Sequence, residues 1–343
     1  MASEQLGVLW VGCGSVSRGW MPAVEKMPDV RVLGLVDLRR EAAEALAQKH
    51  NLRDVPIFTN VASGLAATKP QAVFDLTVPS AHRQVTLAAL AAGCHVLGEK
   101  PLSDALASAR EMVAAAKATG KTYAVIQNRR YDPNIVGLRR MLQSGVIGPV
   151  EEVHADFYIG AHFGGFRDEM DDVLLVDMAI HTFDAARYIS GADPVAVYCH
   201  SFNPKHSWYK GHASAVAVFE MSDGIVFSYR GSWCAEGLNT TWESDWRIIG
   251  AKGSVRWDGA KDVRAQAIKP DGKPGFRSEM VDVPVAPATL DHAGHAGVIR
   301  EFVDCVRTGR RPQTICEDNI KSLAMVLAAV ESRKTGRRIK VEW

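Results

Sequence analysis

The sequence predicts an α/β chain in two parts: a doubly wound parallel sheet, then an α+β part built on one large, mainly antiparallel open sheet. Three observations predict it. Up to Ile126 the chain alternates short, solidly apolar runs with helical patterns, as a parallel sheet buried on both faces requires. A glycine-rich turn, Gly12-Cys13-Gly14, separates the first run from the first helical pattern. After Ile126 the alternation stops, and from Val195 to Val283 the chain is mostly strand-like.

Taken in order, Leu6–Val11 reads as a strand, followed by a helix from about Val16 to Met27. Val30–Val36 is the second strand, and Arg39–His50 a helix with Ala42, Ala43, Leu46 and Ala47 on one side. Strands at Ala72–Leu76, His95–Gly98 and Thr122–Ile126 then alternate with helices at Ala81–Ala92 and Ala105–Thr119. Asp132-Pro133 has the residues that open a helix. A strand at Glu152–Tyr158 and an apolar helix at Val173–Ile189 follow, then strand candidates at 195–200, 213–219, 225–233, 246–250 and 254–257. Turn signals at Ser222-Asp223-Gly224 and Ala251-Lys252-Gly253 separate some of these, and Lys269–Phe276 reads as an exposed loop. Two C-terminal helices, about 294–307 and 317–334, are expected to pack back onto the body. The 343 residues suit two domains, 1–127 for the nucleotide and 128–343 for substrate and assembly.

Composition narrows the function classes. Apolar residues at 47% and charged residues at 23% supply two ordinary globular cores. Forty Lys and Arg against 39 Asp and Glu leave a net charge of +1, so no strong field points to nucleic acid or a membrane surface. The cysteines at 13, 94, 199, 234, 305 and 316 form no C-x-x-C pair, which suggests reduced thiols in a cytoplasmic protein. Ser3, Glu4 and Gln5 make Met1–Gly7 too polar and too short for a secretory signal. No run of about 18 apolar residues suggests a membrane span.

The glycine turn is the first candidate site. Gly12 and Gly14 allow a tight turn and a close approach to a pyrophosphate, which the next helix meets with free N–H groups at Ser15 and Val16. Ser17 stands where the usual fingerprint has its third glycine. Asp37, at the end of the second strand, can accept hydrogen bonds from ribose hydroxyls, which favours NAD. Arg39 and Arg40 beside it fit a 2′-phosphate as well, which leaves NADP open.

The strand at His95–Gly98 runs into Glu99-Lys100-Pro101. Ligands of doubly wound sheets sit beyond the carboxyl ends of the strands, so Lys100 is aimed at the crevice and can steady a substrate oxygen. The same residue could equally be an exposed loop lysine. On the helix at Val173–Ile189, Asp177, His181 and Asp184 fall at i, i+4 and i+7 and are expected on one face. His181 can accept a hydroxyl proton, with Asp177 orienting it. A buried ion pair with Arg187 is the competing reading, and a zinc site completed by His162 and His206 a weaker one, so no metal is expected. His292 and His295 read as helix-capping, solvent-facing residues. Trp208, Tyr209, Trp233, Trp242 and Trp246 divide between sheet core and a possible sugar-binding wall.

Together, Gly12-x-Gly14, Asp37, Thr77-Val78-Pro79 with His82, and Glu99-Lys100-Pro101 resemble the Gfo/Idh/MocA oxidoreductases. The resemblance runs on through Gln127–Asp132, Gly145-x-x-Gly148, Asp177-x-x-x-His181-x-x-Asp184 and Phe302…Gly309…Pro312…Asp318, nearly the whole chain. It implies a Rossmann domain and an α/β domain whose open sheet forms an oligomer interface, as a homodimer or homotetramer. It implies catalytic roles for Lys100, Asp177 and His181, and a cofactor-side position for Thr77, Pro79, His82 and Glu99. Arg129 resembles a substrate contact of the family's inositol dehydrogenases. Family members carry glycines just before the aspartate, whereas this chain has Val173-Leu174-Leu175-Val176.

The expected activity is hydride transfer between a nicotinamide and a CH–OH or C=O carbon of a sugar or polyol. It requires the Lys100 ammonium and His181 imidazole to converge on one ring carbon. Two alternatives remain: glycoside cleavage through transient oxidation, and a catalytically silent nucleotide-binding regulator. The presence of Lys100, Asp177 and His181 speaks against the second.

Overall fold

The structure, a computed structural model, describes residues 5–273 and 275–343. The polar lead-in through Ser3 and Glu4, and Pro274 within the expected loop, lie outside the described residues. The chain divides into two compact units. One comprises the chain up to Tyr131 together with Leu290–Leu323, the other Asp132–Thr289 with Ala324–Trp343. The division thus falls four residues after the expected 127, and a C-terminal segment returns to the first unit.

In the first unit the elements run β1 (Leu6–Val11), α1 (Ser17–Val24), β2 (Val30–Val36), α2 (Arg40–Lys49), β3 (Ile57–Phe58), α3 (Val61–Thr68), β4 (Ala72–Asp75), α4 (Pro79–Ala91), β5 (His95–Gly98), α5 (Leu106–Thr119) and β6 (Tyr123–Val125). The six strands are all parallel in the order β3-β2-β1-β4-β5-β6. This is the strand order of a dinucleotide-binding Rossmann sheet, which opens a crevice beyond the carboxyl ends of its central strands. The solid burial of β1, β4 and β5 follows from helices on both faces. β3 and α3 fall in a stretch that the sequence pattern left without an element.

In the second unit come α6 (Pro133–Gln143), β7 (Val150–Tyr158), α7 (Ile180–Ser190), β8 (Pro194–Phe202), β9 (Ser214–Met221), β10 (Val226–Ser232), β11 (Asp245–Gly250), β12 (Gly253–Trp257), β13 (Val263–Ile268) and β14 (Met280–Val283). Helix α8 (Gly294–Thr308) belongs to the first unit, while α9 (Cys316–Thr335) begins there and runs on into the second, which ends with β15 (Ile339–Lys340). Asp132 caps α6 as its sequence signals, accepting from the amides of Asn134 and Ile135. The nine-stranded sheet has the order β14-β13-β12-β11-β7-β10-β9-β8-β15, with only β7 and β10 parallel. β13, β14 and β15 complete edges that the sequence pattern did not separate.

Each unit has its own core. In the first, Trp10, Trp20 and Phe74 pack at centroid distances of 5.5–6.2 Å, and Phe302 of α8 joins Phe74 at 6.1 Å. The C-terminal helix therefore packs as expected on the body, and specifically on the nucleotide unit. In the second, Phe183 of α7 meets Phe219, Phe227 and Tyr229 on the inner face of the sheet. The strands alternate buried and exposed residues, as a sheet covered on one face does.

Candidate active site

The glycine turn lies at the carboxyl edge of the first unit's sheet. Val11 pairs with Val36 on one side and Asp75 on the other, so Gly12 follows the strands just where the crevice begins. Gly12 has φ +95°, and a Cβ there would lie 2.6 Å from the Leu76 carbonyl carbon. Only glycine fits, because of the neighbouring strand's backbone rather than the ligand. At Gly14 a Cβ would meet nothing within 4 Å, and Gly14, Ser15 and Val16 are exposed at the head of α1. That open approach to a helix N-terminus fits a dinucleotide's phosphates. Ser17 is buried, and its hydroxyl donates to the Gly12 carbonyl at 3.3 Å.

Asp37 is fixed by two main-chain donors: Oδ2 accepts from the Cys13 amide at 2.8 Å and Oδ1 from the Arg39 amide at 2.9 Å. Each oxygen keeps a further lone pair for a ribose hydroxyl. Arg39 is exposed beside it, and Arg40 is paired with Glu44. The Cys13 thiol is pushed up to about 12, first by burial and then by Asp37, which leaves it unreactive.

Two strand ends further along the same edge, the polar groups are held as tightly. Fully buried Asp75 accepts at Oδ1 from the Thr77 amide (3.1 Å) and hydroxyl (2.6 Å). Pro79 opens α4. His82, three residues on, is 1% exposed, with Nδ1 3.0 Å from the Pro101 carbonyl and Nε2 3.0 Å from the Thr77 carbonyl. Glu99 accepts at Oε1 from the Trp20 indole at 2.7 Å and at Oε2 from the Lys100 amide at 3.0 Å. Burial pushes both the Asp75 and Glu99 carboxyls up; His82 opposes this at Asp75, and Lys100 opposes it most at Glu99. The main chain of Lys100 is thus anchored at the end of β5, level with the glycine turn.

The second unit carries Asp177 and His181. The expected single α-helix at Val173–Ile189 is a π-helix over Leu174–Ala179 that continues into α7. Such a wide turn changes which side chains share a face, and π-turns recur at functional sites. Asp177 sits in the wide turn, and its Oδ2 accepts from Arg167 Nε at 2.5 Å. His181 follows in the first turn of α7, partly exposed. Asp184 is buried, with Arg187 3.8 Å away. Both aspartates are thus ion-paired, Asp184 with the expected Arg187 and Asp177 with Arg167 instead. Where family members carry glycines, Val173, Leu174 and Leu175 are completely buried. The start of the π-helix is pinned by Asp172, which accepts from Ser201 at 3.0 Å and from Arg333 at 3.1 and 2.5 Å.

Other expected residues are placed as follows. Arg129 is buried on the short turn Asn128–Tyr131 of the first unit. His162 stacks on Trp208 at 3.6 Å and meets Glu236 at 2.9 Å, while His206 meets the Cys234 carbonyl. Among the described residues no group of three or more His, Cys, Asp or Glu is arranged to hold a metal. Trp233, Trp246 and Tyr209 are core residues, whereas Trp242 is half exposed and lies near Phe163. All six cysteines are free and buried. No helix among the described residues is long and apolar enough to cross a membrane.

Two residues escaped the sequence pattern and a third was misplaced by it. Asp75 was folded into an apolar strand, although a carboxylate inside a buried run is itself a signal. Arg167 lies in a loop, its guanidinium over the rings of Phe163 and Phe166, and only the structure ties it to Asp177. His295 is a correction: Ala293, not a histidine, caps α8. The His295 ring packs 3.4 Å from the position of a Cβ on Gly19. Burial, then the charge of Lys100, holds the imidazole below its usual value.

Comparison with known proteins finds relatives along nearly the whole chain. The family model described as an oxidoreductase family with an NAD-binding Rossmann fold matches residues 6–127, and the GFO/IDH/MocA C-terminal domain matches 135–256. The chain is 26% identical over 340 residues to a D-apiose dehydrogenase of Paraburkholderia graminis, covering 97% of this chain and 88% of that protein. It is also 26% identical to an inositol 2-dehydrogenase of Streptomyces avermitilis, covering 99% and 95%. An oxidoreductase of Agrobacterium radiobacter, solved with NAD+, L-tartaric acid and magnesium, superposes with a TM-score of 0.86 at 21% identity, covering 98% of each chain.

Proposed function

The chain belongs to the Gfo/Idh/MocA family of NAD-binding oxidoreductases, and we propose that it interconverts a secondary alcohol and a ketone on a sugar, sugar derivative or polyol. The observation that carries the proposal is the anchoring of Lys100 at the end of β5, on the same sheet edge as the glycine turn and Asp37. Bound there, the nicotinamide supplies the hydride acceptor. Lys100 steadies the substrate oxygen as its charge changes. His181 takes the hydroxyl proton as the C–H bond breaks, and Asp177, held by Arg167, orients the imidazole or a neighbouring hydroxyl. Ketone reduction uses the same groups in reverse. The relatives named for D-apiose and inositol support a polyhydroxylated substrate.

Asp37 favours NAD, because a carboxylate already fixed by two amides would repel a 2′-phosphate. The experiment is an assay of NADH and NADPH formation over a panel of sugars and polyols with both cofactors. The expected result is net NADH from one or a few of them. Bond cleavage without net NADH, or binding without turnover, would replace this reading.

We further infer a homo-oligomer. The outer face of the large sheet exposes Tyr198 beside its register partner Val218, with Val216 and Phe202 nearby. A contiguous apolar patch on a sheet face is a surface that association covers. Sedimentation equilibrium should give a dimer or tetramer, and Val218→Glu should shift it towards monomer; a wild-type monomer at micromolar concentration rules the assembly out.

A further inference from the structure

We propose that the outer face of the large sheet carries a further ligand site, centred on Arg247, for a small hydroxylated anion of the sugar-phosphate type. The inference starts from strand register. Side chains that point the same way from neighbouring strands form rows across a sheet. One such row on the outer face begins with Tyr198 on β8 and Val218 on β9 and ends with Arg247, Arg256 and Arg264 on β11, β12 and β13. Its first two members belong to the apolar patch offered above for association. Its last three are exposed arginines directly opposite one another. Like charges so placed repel, and a guanidinium does not lose its proton to escape.

The three arginines are not equally compensated. Arg264 meets Asp262 at 2.9 Å, and Arg256 meets Asp245 through one contact at 3.4 Å. Arg247 stands between His154 and Arg256 and has no ion pair or hydrogen bond among the described residues. The His154 ring is engaged by Ser228 at 2.6 Å and Glu152 at 2.9 Å. In the adjoining row, Arg230 holds Asp156 through two contacts, at 2.7 and 2.5 Å. These side chains line an open cavity of about 540 Å³, with Arg230, Arg247 and Arg256 set against Asp156 and Asp245. That volume is in the range of small-molecule sites and larger than a bare ion needs.

The charges specify the ligand. Three guanidiniums against two carboxylates leave a positive charge at Arg247. An oxyanion over Arg247 and Arg256 accepts from both forks and relieves their repulsion, as phosphate oxygens do well. Carboxylates only accept, so Asp156 and Asp245 take hydroxyl donors from the rest of the ligand and oppose a chain of phosphates. A sugar phosphate supplies both kinds of group. Arg247 lies three strands from Val218, about 14 Å along the sheet. None of these residues takes part in the proposed hydride transfer, so the site stands or falls apart from that reading.

The test is calorimetric titration of the intact protein at low ionic strength with glucose 6-phosphate, inorganic phosphate and glucose. Saturating NADH is present throughout, which fills the dinucleotide edge and permits no oxidation. The expected result is one saturable site for glucose 6-phosphate with Kd below about 1 mM, weaker binding of inorganic phosphate and none of glucose. Arg247→Gln should weaken glucose 6-phosphate about 10- to 100-fold. Without ligand, that variant should melt no lower than wild type, because it removes a repelled charge. Glucose 6-phosphate should raise the Tm of wild type alone. No saturable binding, or binding that Arg247→Gln leaves unchanged, overturns the site. Inorganic phosphate binding as tightly as the sugar phosphate overturns the part given to Asp156 and Asp245. A ligand-free variant melting well below wild type overturns the account of Arg247 as an uncompensated charge.

Discussion

The candidate residues of the two units are held by different means. In the first unit, Asp37, Asp75 and Glu99 each accept from amides no more than a few residues from a strand end. Main-chain amides hold all three, joined by the Thr77 hydroxyl at Asp75 and the Trp20 indole at Glu99, so this edge is organised once the fold forms. In the second unit, Asp177 is held by a side chain ten residues upstream, and it sits in a π-turn rather than a regular helix. Two sorts of rigidity follow: a sheet edge held largely by main-chain amides, and a helix whose Asp177 is held by a side-chain tether. The second should be easier to disable without disturbing the fold.

The largest effects test whether Lys100 and His181 serve one step. Lys100→Met and His181→Gln should each lower kcat about 10²- to 10⁴-fold while leaving NAD affinity within a few-fold, measured by steady-state kinetics and NADH fluorescence titration. The double variant should be no more than about tenfold worse than the poorer single one, because groups acting in one transition state are not additive. Independent multiplication of the two losses would separate Lys100 from His181 and break the proposed chemistry. A smaller effect addresses the tether directly. Arg167→Ala should cost about 10- to 100-fold in kcat/KM for the substrate, with Tm and NAD binding almost unchanged. If it instead abolished folding or NAD binding, the contrast between backbone-built and tethered halves would fail.

That contrast also explains what the sequence disclosed. The parallel sheet was legible because its strands are buried on both faces, and so read as apolar runs between helices. The glycine turn was legible because its requirement is local: φ +95° at Gly12 and an open approach at Gly14. The two-residue strand Ile57–Phe58 and the edge strands Met280–Val283 and Ile339–Lys340 were not, being short and paired by distant chain. At the helix that carries Asp177 and His181, the helical run was legible but not its wide first turn. Counting i, i+4, i+7 assumes 3.6 residues per turn, and the π-turn at Leu174–Ala179 breaks that count. Asp184, beyond that turn, pairs with Arg187 in the core. The return of Leu290–Leu323 to the first unit was equally hidden, since no local pattern tells a helix which sheet it will cover.

His295 gives the finest test, because it reaches the first unit's edge from residues far along the chain. If backbone alone organises that edge, removing this ring should change its stability only slightly, and in a particular pH range. Burial, and then the charge of Lys100, holds the His295 imidazole below its usual 6.5. As pH falls below that value, the unfolded chain takes up a proton that the folded chain resists. The stabilisation is thus fully present above about pH 6.5 and is lost as pH falls towards the depressed folded value. His295→Gln cannot titrate and lacks this loss. The Tm difference between wild type and His295→Gln, read by calorimetry at pH 7.5 and pH 5.5, should therefore move by roughly 1–2 °C against the wild type on acidification. A difference that stays constant would mean that the ring is solvated as a capping residue would be. A shift of many degrees would mean that the edge depends on this distant side chain as heavily as Asp177 depends on Arg167.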